Sequence, residues 1–209
     1  MENRIRKTNT VSDIKRVFVE LINEKGFQEL NVTDITRKAE IGRGTFYTHF
    51  TDKYDLLANI ETEMLDHLKS DLGDVISNGM RWLVVDKNTN EPAPFIVETL
   101  KNFYKNRVVI AALLSENGDP YFLRKIKKLI FKDLNESLQA SRDQIATATG
   151  IPEDYAREFV IDEVMGIIVY WISKDEPEDP IEVAKTITKL QSIAPFSLFT
   201  KQKEENDHE

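Results

Sequence analysis

Apolar positions recur at helical spacing along most of the chain. Ile14, Val17, Phe18, Leu21 and Ile22 mark one face of a helix, with Thr10 and Asp13 spaced as a capping box before it and Gly26 as its stop. Ile35 and Ala39, four apart, then define the inner side of a short helix capped by Thr33, with Arg37 and Lys38 pointing outward. Ile41 and Gly42 make a turn, and Phe46 and Phe50, again four apart, anchor a second short helix. Thr51 is spaced to cap a long helix with a buried stripe of Leu56, Leu57, Ile60, Met64 and Leu68. Beyond residue 54 no alternating strand pattern occurs. Turn signals at Gly73 to Gly79, Asp86 to Pro94, Asn117 to Pro120, Gly150 to Pro152 and Asp175 to Pro180 divide the rest into about five further helices. The expected fold class is all-α.

Two short helices joined by a tight turn, each with its apolar residues on one side, are the parts of a helix-turn-helix. Packing Phe46 and Phe50 inward leaves Arg43, Thr45, Tyr47, Thr48 and His49 on the other faces, and all five can hydrogen-bond to phosphates or base edges. Lys53, in the first turn of the next helix, runs against the helix dipole, which suits a phosphate lying at that N-terminus.

The order of scaffold helix, Gly26-Phe27, short helix, turn, Gly44-Thr45-Phe46-Tyr47-Thr48-His49-Phe50, then Asp52-Lys53-Tyr54-Asp55-Leu56-Leu57 resembles the N-terminal domain of the TetR/AcrR family of transcriptional regulators, over about residues 10 to 60. The resemblance implies a three-helix DNA-binding domain at 1–52 and a helical effector-binding and dimerisation domain at 53–200. It also implies Thr33, Arg43, Gly44, Thr45, Tyr47, Thr48, His49 and Lys53 as the DNA-contacting set. Within that set Tyr47, His49 and Lys53 would hold phosphates, and Arg43, Thr45 and Thr48 would lie nearest base edges. The family's usual Ala-Gly-Val-Ser is replaced here by Ala39-Glu40-Ile41-Gly42. A non-glycine in a left-handed turn costs about 1 kcal/mol, and Gly42 lacks the hydroxyl that would cap the second helix.

The 209 residues carry a net charge of −8, which argues against a nonspecific nucleic-acid binder, but the charge is unevenly placed. Residues 1 to 50 hold nine Lys/Arg and seven Asp/Glu, a net of +2, leaving −10 for the other 159. Arg4, Arg6 and Lys7 form a basic arm ahead of the first helix, suited to a phosphate strand or the minor groove; the alternative is a terminus that happens to be basic. With no cysteine, disulfides, thiolate nucleophiles and cysteine-ligated metals are excluded. No apolar run approaches a bilayer span, and the first residues lack a secretory h-region, so a cytoplasmic location is expected.

The helix expected at 152–174 is apolar around nearly its whole circumference. Such a helix is buried all round, by its own core on one side and a second copy on the other. A final helix at 180–195 opens with Asp179 as N-cap, Pro180 at N1 and Glu182 at the capping-box position. In the resembling family the last two helices form a four-helix dimer interface, which assigns Phe159, Val164, Ile168, Trp171, Val183, Ile187 and Leu190 to it. A single-chain bundle with a fully internal helix is the alternative.

Phe103 to Leu114 and Asn117 to Phe122 resemble the C-terminal domain of the branch that includes dihydroxyacetone-kinase operon regulators. Such domains often enclose an effector, and Trp82, Phe95, Phe103, Tyr104, Tyr121, Phe122 and Met165 are candidate walls, each also an ordinary core residue by pattern. Asp162 and Glu163 interrupt the apolar helix and, if buried, must be paired: one facing an effector is one reading, a neighbouring arginine or solvent the other.

Three patterns fail on inspection. Asp86, Asn88 and Asn90 have EF-hand spacing, but Glu91 and Val97 stand where glycine and glutamate are required. Gly42-Arg43-Gly44 has no preceding strand and no P-loop lysine. His49, His67 and His208 have no metal-ligand spacing, and no catalytic constellation is visible, so neither an enzyme nor a cofactor is expected. The charged stretch 201–209 suits a disordered tail. The expected function is therefore a homodimeric regulator on a palindromic double-stranded operator, a repressor released by a small-molecule effector. A helical adaptor whose C-terminal surface binds a protein partner is the alternative.

Overall fold

The computed structural model describes residues 2–85, 91–92, 94–140 and 152–191. Nine helices and no strand occur among the described residues: α1 (Glu2–Lys25), α2 (Val32–Lys38), α3 (Arg43–Tyr47), α4 (Lys53–Val85), α5 (Pro94–Lys105), α6 (Arg107–Leu114), α7 (Phe122–Ala140), α8 (Glu153–Ile172) and α9 (Pro180–Gln191). The fold is all-helical, in line with the sequence pattern.

The apolar face expected of α1 is realised, with Ile14, Val17, Phe18, Leu21 and Ile22 all buried. The start differs. α1 begins at Glu2, so Thr10 lies inside the helix and is no cap, and the segment with Arg4, Arg6 and Lys7 is helical rather than an arm. It ends where expected, at Gly26, whose φ of +82° is open to glycine without cost. α1 packs on α2 and α6, α2 on α3, and α4 on both α5 and α7, while α5 reaches α9 and α6 reaches α8. One continuous core joins the head helices to the C-terminal ones.

One break expected from the sequence pattern is absent. α4 runs without interruption through Gly73 and Gly79 to Val85, because single glycines in a helix interior cost only about 1 kcal/mol each and do not stop it. Its stripe of Leu56, Leu57, Ile60, Met64 and Leu68 is buried as the periodicity requires. α9 ends at Gln191; Ile193, the proposed loop at 86–90 and the tail at 201–209 lie outside the described residues.

Candidate nucleic-acid interface

The reading head is built on Asn31 rather than Thr33. Asn31 caps α2: its Oδ1 accepts from the Asp34 N–H at 3.1 Å, and Asp34 Oδ2 accepts from the Asn31 N–H at 3.0 Å, a closed capping box two residues before the expected cap. Asp34 is nearly buried and also takes the Lys25 ammonium and the Arg37 guanidinium, each at 2.6 Å. Lys25 above all holds its carboxyl below the ordinary range, helped by the Asn31 backbone and Arg37. Asp34 thus ties the end of α1 to both ends of α2. The pattern Asn31-x-x-Asp34 carried this signal, but the neighbouring threonine offered a competing cap. Thr33 is exposed inside α2, and its carbonyl accepts from the Thr36 hydroxyl.

The turn into α3 uses Glu40 at φ +54°, the one non-glycine in left-handed backbone among the described residues. Gly42 is the N-cap of α3 and supplies no side-chain cap bond, so both departures from the family's usual turn have the structural consequence their chemistry implies. Phe46 is fully buried and packs against Phe50, with ring centroids 5.8 Å apart. This anchor turns Arg43, Gly44, Thr45, Tyr47 and Thr48 outward, all exposed, while His49 is half-buried with its ring against Phe50. Arg43 Nη2 donates to Tyr47 Oη at 3.4 Å, and the Thr48 hydroxyl donates to the Gly44 carbonyl at 2.9 Å. The first contact is weak enough for both side chains to turn to a ligand.

The cap of α4 is Asp52, one residue after the expected Thr51: Asp52 Oδ1 accepts from the N–H groups of Tyr54 and Asp55, each at 2.8 Å. Lys53 does not point into empty space awaiting a phosphate. Its ammonium donates to the carbonyls of Phe27 at 3.0 Å, Gln28 at 3.0 Å and Leu30 at 2.9 Å, and lies 4.8 Å from the centroid of the Phe27 ring. Three carbonyls satisfy all three N–H donors of an ammonium. Burial, with Lys25 nearby, pushes the Lys53 ammonium below its ordinary pKa. In this conformation Lys53 is a strut between α4 and the α1–α2 turn.

The proposed effector walls whose side chains are described have differing surroundings. Phe103, Phe122 and Met165 are buried in the common core. Tyr104 stacks on Trp171 at 5.7 Å, with the Arg107 guanidinium 5.2 Å from its own ring. Tyr121 is exposed beneath Arg124, and the side chains of Trp82 and Phe95 lie outside the described residues. A groove of about 620 Å³ lies elsewhere, between α1, α4 and α6, lined by Val11, Val19, Ile60, Met64 and Val108 and crossed by the Lys15–Glu63 ion pair.

Of the residues assigned to a dimer interface, Ile168, Trp171, Val183 and Ile187 are buried within the chain itself, and Val164 and Leu190 are half-buried. Trp171 further donates its indole N–H to the Glu178 carbonyl at 2.9 Å. Of that set only Phe159, 61% exposed, faces outward, and it shares the outer face of α8 with Tyr155 and Tyr170, 70% and 66% exposed, with Gly166 between Phe159 and Tyr170. Periodicity could not separate the two faces of a helix that is apolar on both. Asp162 is exposed to solvent, as one expectation had it, and pairs with Lys127 of α7 where the other named an arginine.

Residues 18–60 match the family profile described as bacterial regulatory proteins, tetR family, and residues 90–192 match one described as transcriptional regulator C-terminal region. The chain belongs to the TetR/AcrR family of transcriptional regulators. The TetR-type chain is 22% identical over 185 residues to the uncharacterized HTH-type transcriptional regulator YxbF of Bacillus subtilis, covering 88% of this chain and 45% of that one. It spans less than half the length of the curated relatives it matches. A TetR transcriptional regulator of Streptococcus agalactiae superposes with a TM-score of 0.59 at 25% identity, covering 91% of this chain and 97% of the other. NalD of Pseudomonas aeruginosa, the secondary repressor of the MexAB-OprM multidrug efflux pump, shares the TetR fold with a TM-score of 0.63 at 17% identity, over 88% and 94% of the two chains. Among the described residues no helix is long and apolar enough to cross a membrane, and no three His, Asp or Glu side chains are grouped to hold a metal ion.

Proposed function

We propose that this chain is a sequence-specific DNA-binding regulator that acts as a homodimer and sets α3 of each protomer into successive major grooves of a palindromic operator. One observation carries the reading: the buried Phe46–Phe50 anchor turns Arg43, Gly44, Thr45, Tyr47 and Thr48 outward together on one short helix. In this arrangement Arg43, Thr45 and Thr48 meet base edges, while Tyr47 and His49 engage phosphates. Thr33, exposed in the first turn of α2, makes a further backbone contact in this reading. The partner protomer covers Tyr155, Phe159 and Tyr170 of α8, since aromatic residues are enriched in protein interfaces.

Repression relieved by an effector is the regulatory half of the proposal. It draws support from the family and from the role of NalD as a repressor. An effector that binds better to one head arrangement shifts the population, and DNA then weakens effector binding by the same factor. Affinity selection of the purified protein against fragmented source-genome DNA, at two salt concentrations, tests the DNA reading. A palindrome should be enriched at both; salt-sensitive background alone would remove the proposal.

A further inference from the structure

One short turn between α6 and α7 touches the reading head and the connecting helix at once. Gly118 fixes its shape: a Cβ there would fall 2.3 Å from the Leu113 carbonyl oxygen, and the Asp119 N–H donates to that same oxygen at 3.0 Å. On one side of Gly118, the Asn117 carbonyl accepts from the Phe27 N–H at 2.8 Å, and its side chain lies against Gly26. On the other side, Asp119 shares Lys125 of α7 with Glu61 of α4, the Lys125 ammonium lying 3.1 Å from Asp119 Oδ2 and 2.6 Å from Glu61 Oε2.

Glu61 is a charged residue type placed among core side chains, only 4% exposed. Its Oε1 is buried with no hydrogen-bond partner, and its Oε2 shares the Lys125 ammonium with the Asp119 carboxylate. The charged groups acting on it are Lys125 from α7 and Asp119 from the turn. Its neighbours one turn away on α4 are Leu57, Ala58, Met64 and Leu65, and α5, which also packs on α4, brings it no charge. Two carboxylates against one ammonium leave an uncompensated negative charge in a buried place, whereas a neutral Glu61 accepts from Lys125 and has an O–H to give to Asp119.

We infer that Glu61, Asp119 and Lys125 form a proton-gated latch that holds the α6–α7 turn, and through Asn117 the reading head, against the connecting helix. With Glu61 neutral the three groups are satisfied and the turn stays seated on Phe27. Ionisation sets Glu61 against Asp119 and drives the turn off α4, which loosens the bond between Asn117 and Phe27.

The direction of the pH effect follows from the environment. Burial first, then the contact with Asp119, raise the Glu61 carboxyl from 4.5 to about 7. Because the folded value lies above the unfolded one, its contribution to the latched state is full below 4.5 and is lost as pH rises through 7. Asp119 is held below its ordinary value and Lys125 above its own, so neither titrates in that window.

The test uses the full chain and needs no DNA, so its outcome is independent of the operator reading. Amide exchange at Phe27, expressed as a protection factor, is followed by NMR from pH 6 to 8.5, with Ile22 in α1 as an internal control. In the native protein Phe27 protection should fall above pH 7, by up to about tenfold per pH unit for one linked proton, while Ile22 stays constant. Glu61→Gln keeps a neutral donor and acceptor, and Asp119→Asn removes the repulsion; each should leave Phe27 protected across the range. A flat native profile, an equal fall at Ile22, or an unchanged slope in both variants would overturn the latch.

Discussion

Glu40 and Gly42 show how much two residues can say about a turn. Glu40 sits at φ +54°, where a side chain costs about 1 kcal/mol that glycine does not. Glu40→Gly should therefore stabilise the protein by about 1 kcal/mol, raising the calorimetric midpoint by roughly 2–4 °C. At Gly42 an added Cβ would meet only Thr45 Oγ1, at 3.8 Å. Gly42→Ser should fit and add a few tenths of a kcal/mol as an N-cap. Lys53 makes a sharper prediction. Because its three donors go to carbonyls, Lys53→Met should lower thermal stability by about 1–3 kcal/mol yet leave the salt dependence of operator affinity unchanged. Arg43→Ala should instead change which operator sequences are selected, since its guanidinium meets a base edge; an unchanged preference with a slope lower by about 0.9 would move Arg43 to a phosphate. A loss of slope at Lys53 would mean that its ammonium leaves the carbonyls on DNA. Asp34 sets the acid limit of the head: its carboxyl is held below 3.8, so its contribution is present above that value and lost as pH falls through the lower folded one. Asp34→Ala should cost about 1–2 kcal/mol through the lost cap and charge-assisted bonds.

At the scale of elements, the sequence pattern identified helices far better than it identified their ends. The buried stripes of α1 and α4 and the Phe46–Phe50 pair were legible because burial on one face imposes a 3.6-residue period. The caps were not. Thr33 and Thr51 were each passed over for a neighbour, Asn31 and Asp52, since several small polar residues in a row offer equivalent oxygens and only backbone geometry chooses among them. The uninterrupted course of α4 was hidden by Gly73 and Gly79, which weaken a helix without ending it. Glu61 was invisible for a different reason, because its partners are 58 and 64 positions away and no local pattern links a carboxylate to them. Gly118 appeared only as a turn signal, yet its Cα faces two main-chain carbonyls so closely that no side chain fits. Gly118→Ala should cost about 3 kcal/mol, read as a shift in the urea midpoint.

For the whole molecule, the informative surface is the outer face of α8. Phe159→Glu should leave the protomer folded, since the residue is largely exposed, and should turn a sedimenting dimer into a monomer with little change in helical signal. A dimer that survives Phe159→Glu and Tyr170→Glu together would assign the interface elsewhere. The uninterrupted α4 has a mechanical meaning for such a dimer. Its 33 residues amount to a rod about 50 Å long, with the head at one end and the region beyond Ser70 at the other. A pivot of roughly 5° about the far end carries the head sideways by about 4 Å, against a spacing of about 34 Å between successive major grooves. In the proposed dimer, a tilt of that size in each rod would set the two heads out of step with the double helix.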